Sequence, residues 1–183
     1  MSENFVSYTL KNGQELIIRK AQLSDALKIV DYINDIGGES DNLSFGKNEG
    51  FSYEQTLNYL KTLSEISTYN IGLIDGQIVS VCDLHASPRK RLRHVAETAI
   101  TVRKEFWNLG IATIMIREII KFAKDTNVIE IVSLQVRMDN AAAIHLYKKL
   151  GFETTGINKK HMKIDGVYYD LVCMDLHLKK IDS

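Results

Sequence analysis

The stretch ITVRKEFWNLGIATIMIREIIKFAK (100–124) changes character at its middle. Up to Val102 it alternates as a strand does. From Ile111 onward the apolar residues Ile111, Ile114, Met115, Ile119 and Phe122 recur at spacings of three and four, with Ile116 and Ile120 widening the stripe. That period predicts a helix over about 110–125, packed hard against a sheet. A helix start exposes up to four N–H groups without intrahelical partners and roughly half a positive charge. Gly110 stands at that start, although glycine costs about 1 kcal/mol against alanine inside a helix. With Ala112 two residues on, little side chain covers the N–H groups, and a pyrophosphate would satisfy them. A tight strand-to-helix turn accounts for Gly110 equally well, and the stretch alone leaves both readings open.

Working outward, the 183 residues suit one domain over 1–183 that buries about two thirds of its extended surface. Lys plus Arg number 23 and Asp plus Glu number 23, so the zero net charge gives no general affinity for nucleic acid or an anionic membrane. No apolar run approaches the ~20 residues of a membrane-crossing helix. The start MSENFVSYTLKNG (1–13) lacks the basic head and apolar block of a signal peptide. Cys82 and Cys173 have no CxxC spacing and read as reduced thiols of a cytoplasmic protein, a disulfide between them being the alternative. A lone proline, Pro88, and the lack of Ser/Gly-rich tracts argue against an interdomain linker, and no internal repeat occurs.

ELIIRKA (15–21) predicts the first strand. A helix follows over LSDALKIVDYINDIGG (23–38), capped by Ser24 or Asp25, with Leu27, Val30 and Ile33 on one face and Gly37–Gly38 as its stop. ESDNLSFGKNEGF (39–51) is a long polar loop of the kind that often carries function. SYEQTLNYLKTLSEI (52–66) predicts a second helix. YNIGLID (69–75), GQIVSVCDLHA (76–86) and RHVAETAITVR (93–103) predict strands, the first two joined by a turn at Asp75–Gly76. Beyond the central helix come a strand at IEIVSLQVR (129–137) and a helix at NAAAIHLYKKL (140–150) that Gly151 ends. FETTGI (152–157), KHMKID (160–165) and VYYDLVCMDLHL (167–178) predict closing strands, with a turn at Asp165–Gly166. The strand–helix–strand unit over 95–136 requires a parallel pair, whereas the hairpins require antiparallel ones. The fold class is α/β in the α+β sense, a mixed and mostly antiparallel sheet flanked by helices.

The segment MDNAAAIHLYKKLGFETTG (138–156) resembles the Asn-x-x-Ala-x-x-x-Tyr-x-x-x-Gly-Phe signature of the GNAT superfamily of N-acetyltransferases, through Asn140, Ala143, Tyr147, Gly151 and Phe152. Independently, 100–124 looks like that superfamily's acetyl-CoA motif, Gln/Arg-x-x-Gly-x-Gly/Ala after an apolar strand. Gly110 and Ala112 align with it, while Trp107 stands where Gln or Arg is usual. The ending DGVYYDLVCMDLHL (165–178) is similar to the superfamily's closing strands. The likeness runs from about Ile17 to Leu178 and is weakest over 37–66.

The resemblance implies acetyl transfer from acetyl-CoA, a cosubstrate, to a primary amine on a small molecule or peptide, by direct attack and without a metal. It implies a GNAT-like fold in which VAETAITV (95–102) and VSLQV (132–136) splay and take the pantetheine arm between them. Backbone groups of Ile100, Thr101 and Val102 would pair with that arm. The pyrophosphate would lie over Asn108, Leu109, Gly110, Ile111, Ala112 and Thr113, on backbone rather than on Trp107. Tyr147 is implied as proton donor to the departing thiolate and Asn140 as an anchor for the pantetheine or the adjoining loop. Asn140 and Tyr147 lie two helical turns apart, on one side of one helix. For Tyr147 alone, an interfacial core tyrosine is the alternative.

In an alternating strand Glu97, Ala99 and Thr101 share a face, opposite Thr98, Ile100 and Val102. Glu97 is the candidate catalytic base; an ion pair with Arg93, or a water chain acting as base, are the alternatives. Acceptor choice is expected from 37–51, whose Glu39, Asp41 and Glu49 suit a cationic amine unless they are merely solvated, and from about 156–168. Homodimers are frequent in the superfamily, with VYYDLVCMDLHL as the strand to pair across a two-fold.

Other chemistries lack their signatures. There is no G-x-G-x-x-G after the first strand, no G-x-x-x-x-G-K-[ST], no H-E-x-x-H and no G-x-S-x-G. The five histidines are scattered. The rival of another class is a non-catalytic acyl-CoA-binding sensor or partner module of the same fold.

Overall fold

The parallel pair demanded by 95–136 lies inside one eight-stranded sheet. The computed structural model describes residues 5–178. Its elements are β1 (Phe5–Thr9), β2 (Glu15–Lys20), a 3₁₀ turn (Leu23–Asp25), α1 (Ala26–Ile36), α2 (Tyr53–Thr62), β3 (Thr68–Ile74), β4 (Gln77–Ala86) and β5 (Val95–Val102). A second 3₁₀ turn (Lys104–Phe106) precedes α3 (Ile111–Asp125), then β6 (Ile131–Arg137), α4 (Ala141–Lys149), β7 (Glu153–Ile164) and β8 (Val167–His177). The strand order is β1-β2-β3-β4-β5-β6-β8-β7. Only β5 and β6 run parallel, and every other neighbouring pair is antiparallel. This is the mixed sheet expected from the sequence.

Two apolar layers cover the sheet. On one face α3 buries Ile111, Met115, Ile116 and Ile119 against Cys82, Leu84, Val132 and Leu134, together with Tyr147 of α4 and Phe152. Full burial of each such aliphatic chain is worth about 1.5–3 kcal/mol, so α3 is held firmly where its N-terminus lies. On the other face α1 and α2 pack Ala26, Ile29, Tyr32, Ile36 and Leu60 against Ile71, Ile78 and Val81.

Local details depart from the sequence reading. FVSYT (5–9) forms a strand that was not expected; it pairs with β2 from Phe5↔Arg19 to Thr9↔Glu15. The α1 face that packs is Ala26, Ile29, Tyr32 and Ile36, while Leu27 is 58% exposed. Both stripes have helical spacing, and the one bearing Tyr32 and Ile36 fills the larger volume. Asp25 accepts bonds from the Arg19 guanidinium and the Gln22 N–H instead of capping α1 with its side chain. The α2 helix stops at Thr62, whose hydroxyl bonds back to the carbonyls of Asn58 and Tyr59. The segments FETTGI and KHMKID are one strand, β7, with register shifts at Thr154/Gly156 and Asn158/Met162 that absorb the irregular stretch. β8 lies between β6 and β7, so both of its edges are taken and it cannot add a strand across a two-fold. Cys82 and Cys173 are both free thiols.

Candidate active site

β5 and β6 stay paired for three positions only: Val95↔Ile131, Ala96↔Val132 and Glu97↔Ser133. Beyond them β5 follows β4 to Val102 and β6 follows β8 to Arg137. Each strand obeys its antiparallel neighbour, so the two part into a fork. The Arg103 N–H donates to the Val79 carbonyl at 2.9 Å. In an antiparallel ladder that bond sets the alternation: Ala99 and Thr101 turn their backbone groups to β4, and Thr98, Ile100 and Val102 turn theirs to the gap. Thr101 is engaged away from the gap. Its carbonyl accepts the Ser80 hydroxyl at 2.7 Å, and its hydroxyl lies 3.0 Å from that of Tyr32. Of the three residues nominated on this strand, Ile100 and Val102 face the gap with backbone and Thr101 does not. Unpaired backbone groups inside a sheet invite one more extended chain.

At the open end of the fork the chain turns into α3. Asn108 (φ 64°) and Gly110 (φ 90°) are both left-handed, and Gly110 is the N-cap with no side-chain cap. A Cβ on Gly110 would meet nothing within 4 Å. The two readings of this glycine therefore hold together: the turn needs its positive φ, and the space over it is open. The first-turn N–H groups of Ile111, Ala112 and Thr113 are uncapped by any side chain, and that turn carries no acidic residue. Leu109 packs half-buried on the core and Asn108 is exposed. Such a cradle fits a pyrophosphate. Trp107 commits its one donor elsewhere, its indole N–H bonding the Val102 carbonyl at 2.8 Å.

Tyr147 comes from the α3 face. It is 9% exposed, and its ring meets Phe152 edge-on at 5.7 Å. Burial pushes its hydroxyl pKa above the ordinary value, with nearby Cys82 adding to the shift. It stays a proton donor at neutral pH. No fully buried side-chain oxygen or nitrogen among the described residues lacks a partner. The Tyr147 hydroxyl, for which no bond is found among them, therefore keeps contact with solvent. Asn140 is the N-cap of α4, its Oδ1 accepting the Ala143 N–H at 3.2 Å. Its side-chain amide NH2 is the part left for another contact.

Glu97 is exposed and sits directly across from His85. No ion pair with Arg93 is found among the described residues. Residues paired across two strands share a face, so Glu97 and His85 lie with Asp83 and Val81 on the side that α1 and α2 cover. Tyr147 lies on the other side. A fork that passes through the sheet is reached from both.

The loop between α1 and α2 closes over the wide end. Gly37 lets this loop fold tightly on itself, since a Cβ there would overlap the Gly46 carbonyl. Glu39 accepts the Lys104 N–H at 2.6 Å and pairs with Arg103 at 3.5 Å. Arg103 also bonds Asp35 and lies over the Tyr32 ring. Glu49 accepts the Gly46 N–H at 2.8 Å. Arg137, at the end of β6, bonds Asp139 and donates to the Asp41 carbonyl at 2.6 Å, with its guanidinium 3.9 Å from the Tyr169 ring centre. The expected acidic cluster is thus not free to bind an amine as a unit: Glu39 and Glu49 are spent on the loop's own anchorage. A carboxylate that the sequence reading passed over, Asp83 of β4, stands near the fork instead. Its signal was present, as the one charged residue in the run IVSVCDLHA (78–86).

The sequence profile of the Acetyltransferase (GNAT) family matches residues 39–152. The chain is 36% identical over 104 residues to L-amino acid N-acetyltransferase AaaT of Escherichia coli, covering 57% of this chain and 64% of that one. It is 28% identical over 164 residues to an N-alpha-acetyltransferase of Sulfurisphaera tokodaii, covering 85% of this chain and 90% of that one. Among solved structures, an acetyltransferase of the GNAT family from Streptococcus pneumoniae superposes with a TM-score of 0.85 at 28% identity, over 88% of this chain and 99% of that one. The Salmonella typhimurium protein yncA, solved with its cofactor acetyl-CoA, shares the fold with a TM-score of 0.80 at 17% identity, over 92% and 96%. A profile match spanning well over half of the residues decides the matter: the chain belongs to the acetyltransferase (GNAT) family.

Proposed function

We propose that this protein moves an acetyl group from acetyl-CoA to a primary amine, with Tyr147 as general acid. The observation that carries the reading is the fork. Two parallel strands part after Glu97 and Ser133, with the backbone of Ile100 and the N–H of Val102 turned to the gap on one side and an uncapped helix start at its mouth. Ile100 and Val102 would hold the pantetheine arm, and the turn Asn108–Gly110 with the first N–H groups of α3 would hold the pyrophosphate. Acetyl-CoA, when bound, supplies an activated thioester acyl group. Asn140 offers its side-chain amide NH2 toward the same molecule. Tyr147 protonates the leaving thiolate from one face of the sheet, and Glu97 accepts the amine's proton on the other, directly or through water. The relatives are named for acetylating L-amino acids or α-amino groups, which supports an α-amine of an amino acid or polypeptide as acceptor. The reading treats the chain as one cytoplasmic domain.

Thiol release from acetyl-CoA, followed over amino acids, amino-acid amides and short peptides, tests this. At least one amine should raise turnover tenfold or more above hydrolysis. Tight acetyl-CoA binding with no amine-dependent turnover would mean a sensor module instead.

A further inference from the structure

Asp83 is the one acidic residue of β4, set between buried Cys82 and Leu84. Its Oδ1 accepts the Ala99 N–H at 3.0 Å and its Oδ2 accepts the Tyr59 hydroxyl at 3.2 Å. Tyr69 lies directly opposite on β3, its ring edge-on to Tyr59 at 5.8 Å. The His85 ring, two residues along the same face, stands 6.2 Å from that of Tyr59. No lysine or arginine pairs with this carboxylate among the described residues. Burial raises its pKa, which is a cost that the fold by itself does not recover. Carboxylates placed in such surroundings without a counter-ion commonly serve a ligand.

The place matters as much as the group. Ala99, which holds Oδ1, lies two residues past Glu97, the last β5 position paired to β6. Asp83 therefore flanks the point where the fork opens, on the face opposite Tyr147. Glu97 sits diagonally beside it, across from His85. A carboxylate held by the Tyr59 hydroxyl, with Tyr69 opposite it, suits an ammonium ion, which takes the charge and can lie against an aromatic ring. We propose that Asp83, framed by Tyr59 and Tyr69, receives the acceptor's ammonium group and makes cationic primary amines the preferred class. This rests on the fork being the reaction site. Asp83 acts as a specificity residue: it binds the ammonium form, while proton removal falls to Glu97.

Two probes of equal shape test it, 2-phenylethylamine and 2-phenylethanol, titrated into full-length protein saturated with free CoA so that no acetyl transfer occurs. The wild type should bind the amine at least tenfold tighter than the alcohol. Asp83→Asn, which still accepts the Ala99 N–H, should bring the two within twofold while leaving CoA affinity unchanged. Asp83→Ser asks the same question should the asparagine variant fail to fold. In the wild type, NMR should show contacts from the amine's methylenes to the Tyr59 and Tyr69 rings. No amine preference in the wild type, its survival in both variants, or the lack of those ring contacts overturns the proposal. Amine preference without any turnover would strike the enzymatic reading alone, and turnover without amine preference would strike this one alone.

Discussion

At the scale of single residues, Gly110 and Tyr147 show how much one position can decide. Gly110 takes a φ that a side chain would strain, and it leaves open the N–H groups that follow. Tyr147 is buried enough to keep its proton, yet its oxygen still meets solvent. In the proposed mechanism, Tyr147→Phe keeps the ring packed on Phe152 and removes only the donor. It should lower kcat on the order of a hundredfold, the usual worth of a positioned acid, with the acetyl-CoA KM within about twofold. The sign of the pH effect follows from the shift. A phenol raised above its ordinary value of about 10 holds its proton further into alkali, so Tyr147 should impose no alkaline loss of kcat below about pH 10. Unchanged kcat in the variant would remove Tyr147 from the reaction.

Among the elements, α4 carries the signature most legible in the sequence, and the structure gives the residue at its N-cap a structural task beside the proposed one. Asn140 caps the helix, and replacing a cap by alanine costs about 1 kcal/mol. Asn140→Ala should therefore lower the unfolding free energy by about that much. Asn140→Ser keeps a capping oxygen and should retain most of the stability while losing the side-chain amide NH2. If that NH2 touches the cofactor, the serine variant will still show a raised acetyl-CoA KM, read from initial rates. A serine variant normal in both measurements would reduce Asn140 to a cap. In the turn proposed for the pyrophosphate, Trp107 bonds back to Val102, so the proposed cradle consists of backbone alone.

For the molecule as a whole, the fork is a gap built into a sheet. Filling it should be seen across distant parts of the chain at once. Acetyl-CoA at 100 times its Kd should stabilise the fold by about 2.7 kcal/mol and raise Tm accordingly. Hydrogen exchange should slow at the Ile100 and Val102 amides, and at β6 amides that face the gap, but not at β1 or the β7–β8 hairpin. Protection spread evenly over the sheet, or confined to α3, would contradict insertion between the strands. Arg103, just past the end of β5, and Arg137, the last residue of β6, both hold the 37–51 loop, so slowing is also expected there.

The sequence by itself determined the class of fold, the parallel crossover, the helix that starts at Gly110, and the spacing of Asn140 and Tyr147. These rest on local periodicity and on turn residues, which act over a few positions and are written in order along the chain. The tertiary structure alone decided how that list is spent. It showed that Thr101 faces β4 and not the gap, that Glu39 and Glu49 are tied into their own loop, and that β8 has no free edge. It also brought Tyr59, Tyr69 and Asp83 together from three elements. Such partnerships depend on strand order and register. A one-residue change of register turns every side chain to the opposite face, and no local pattern specifies which distant strand lies alongside.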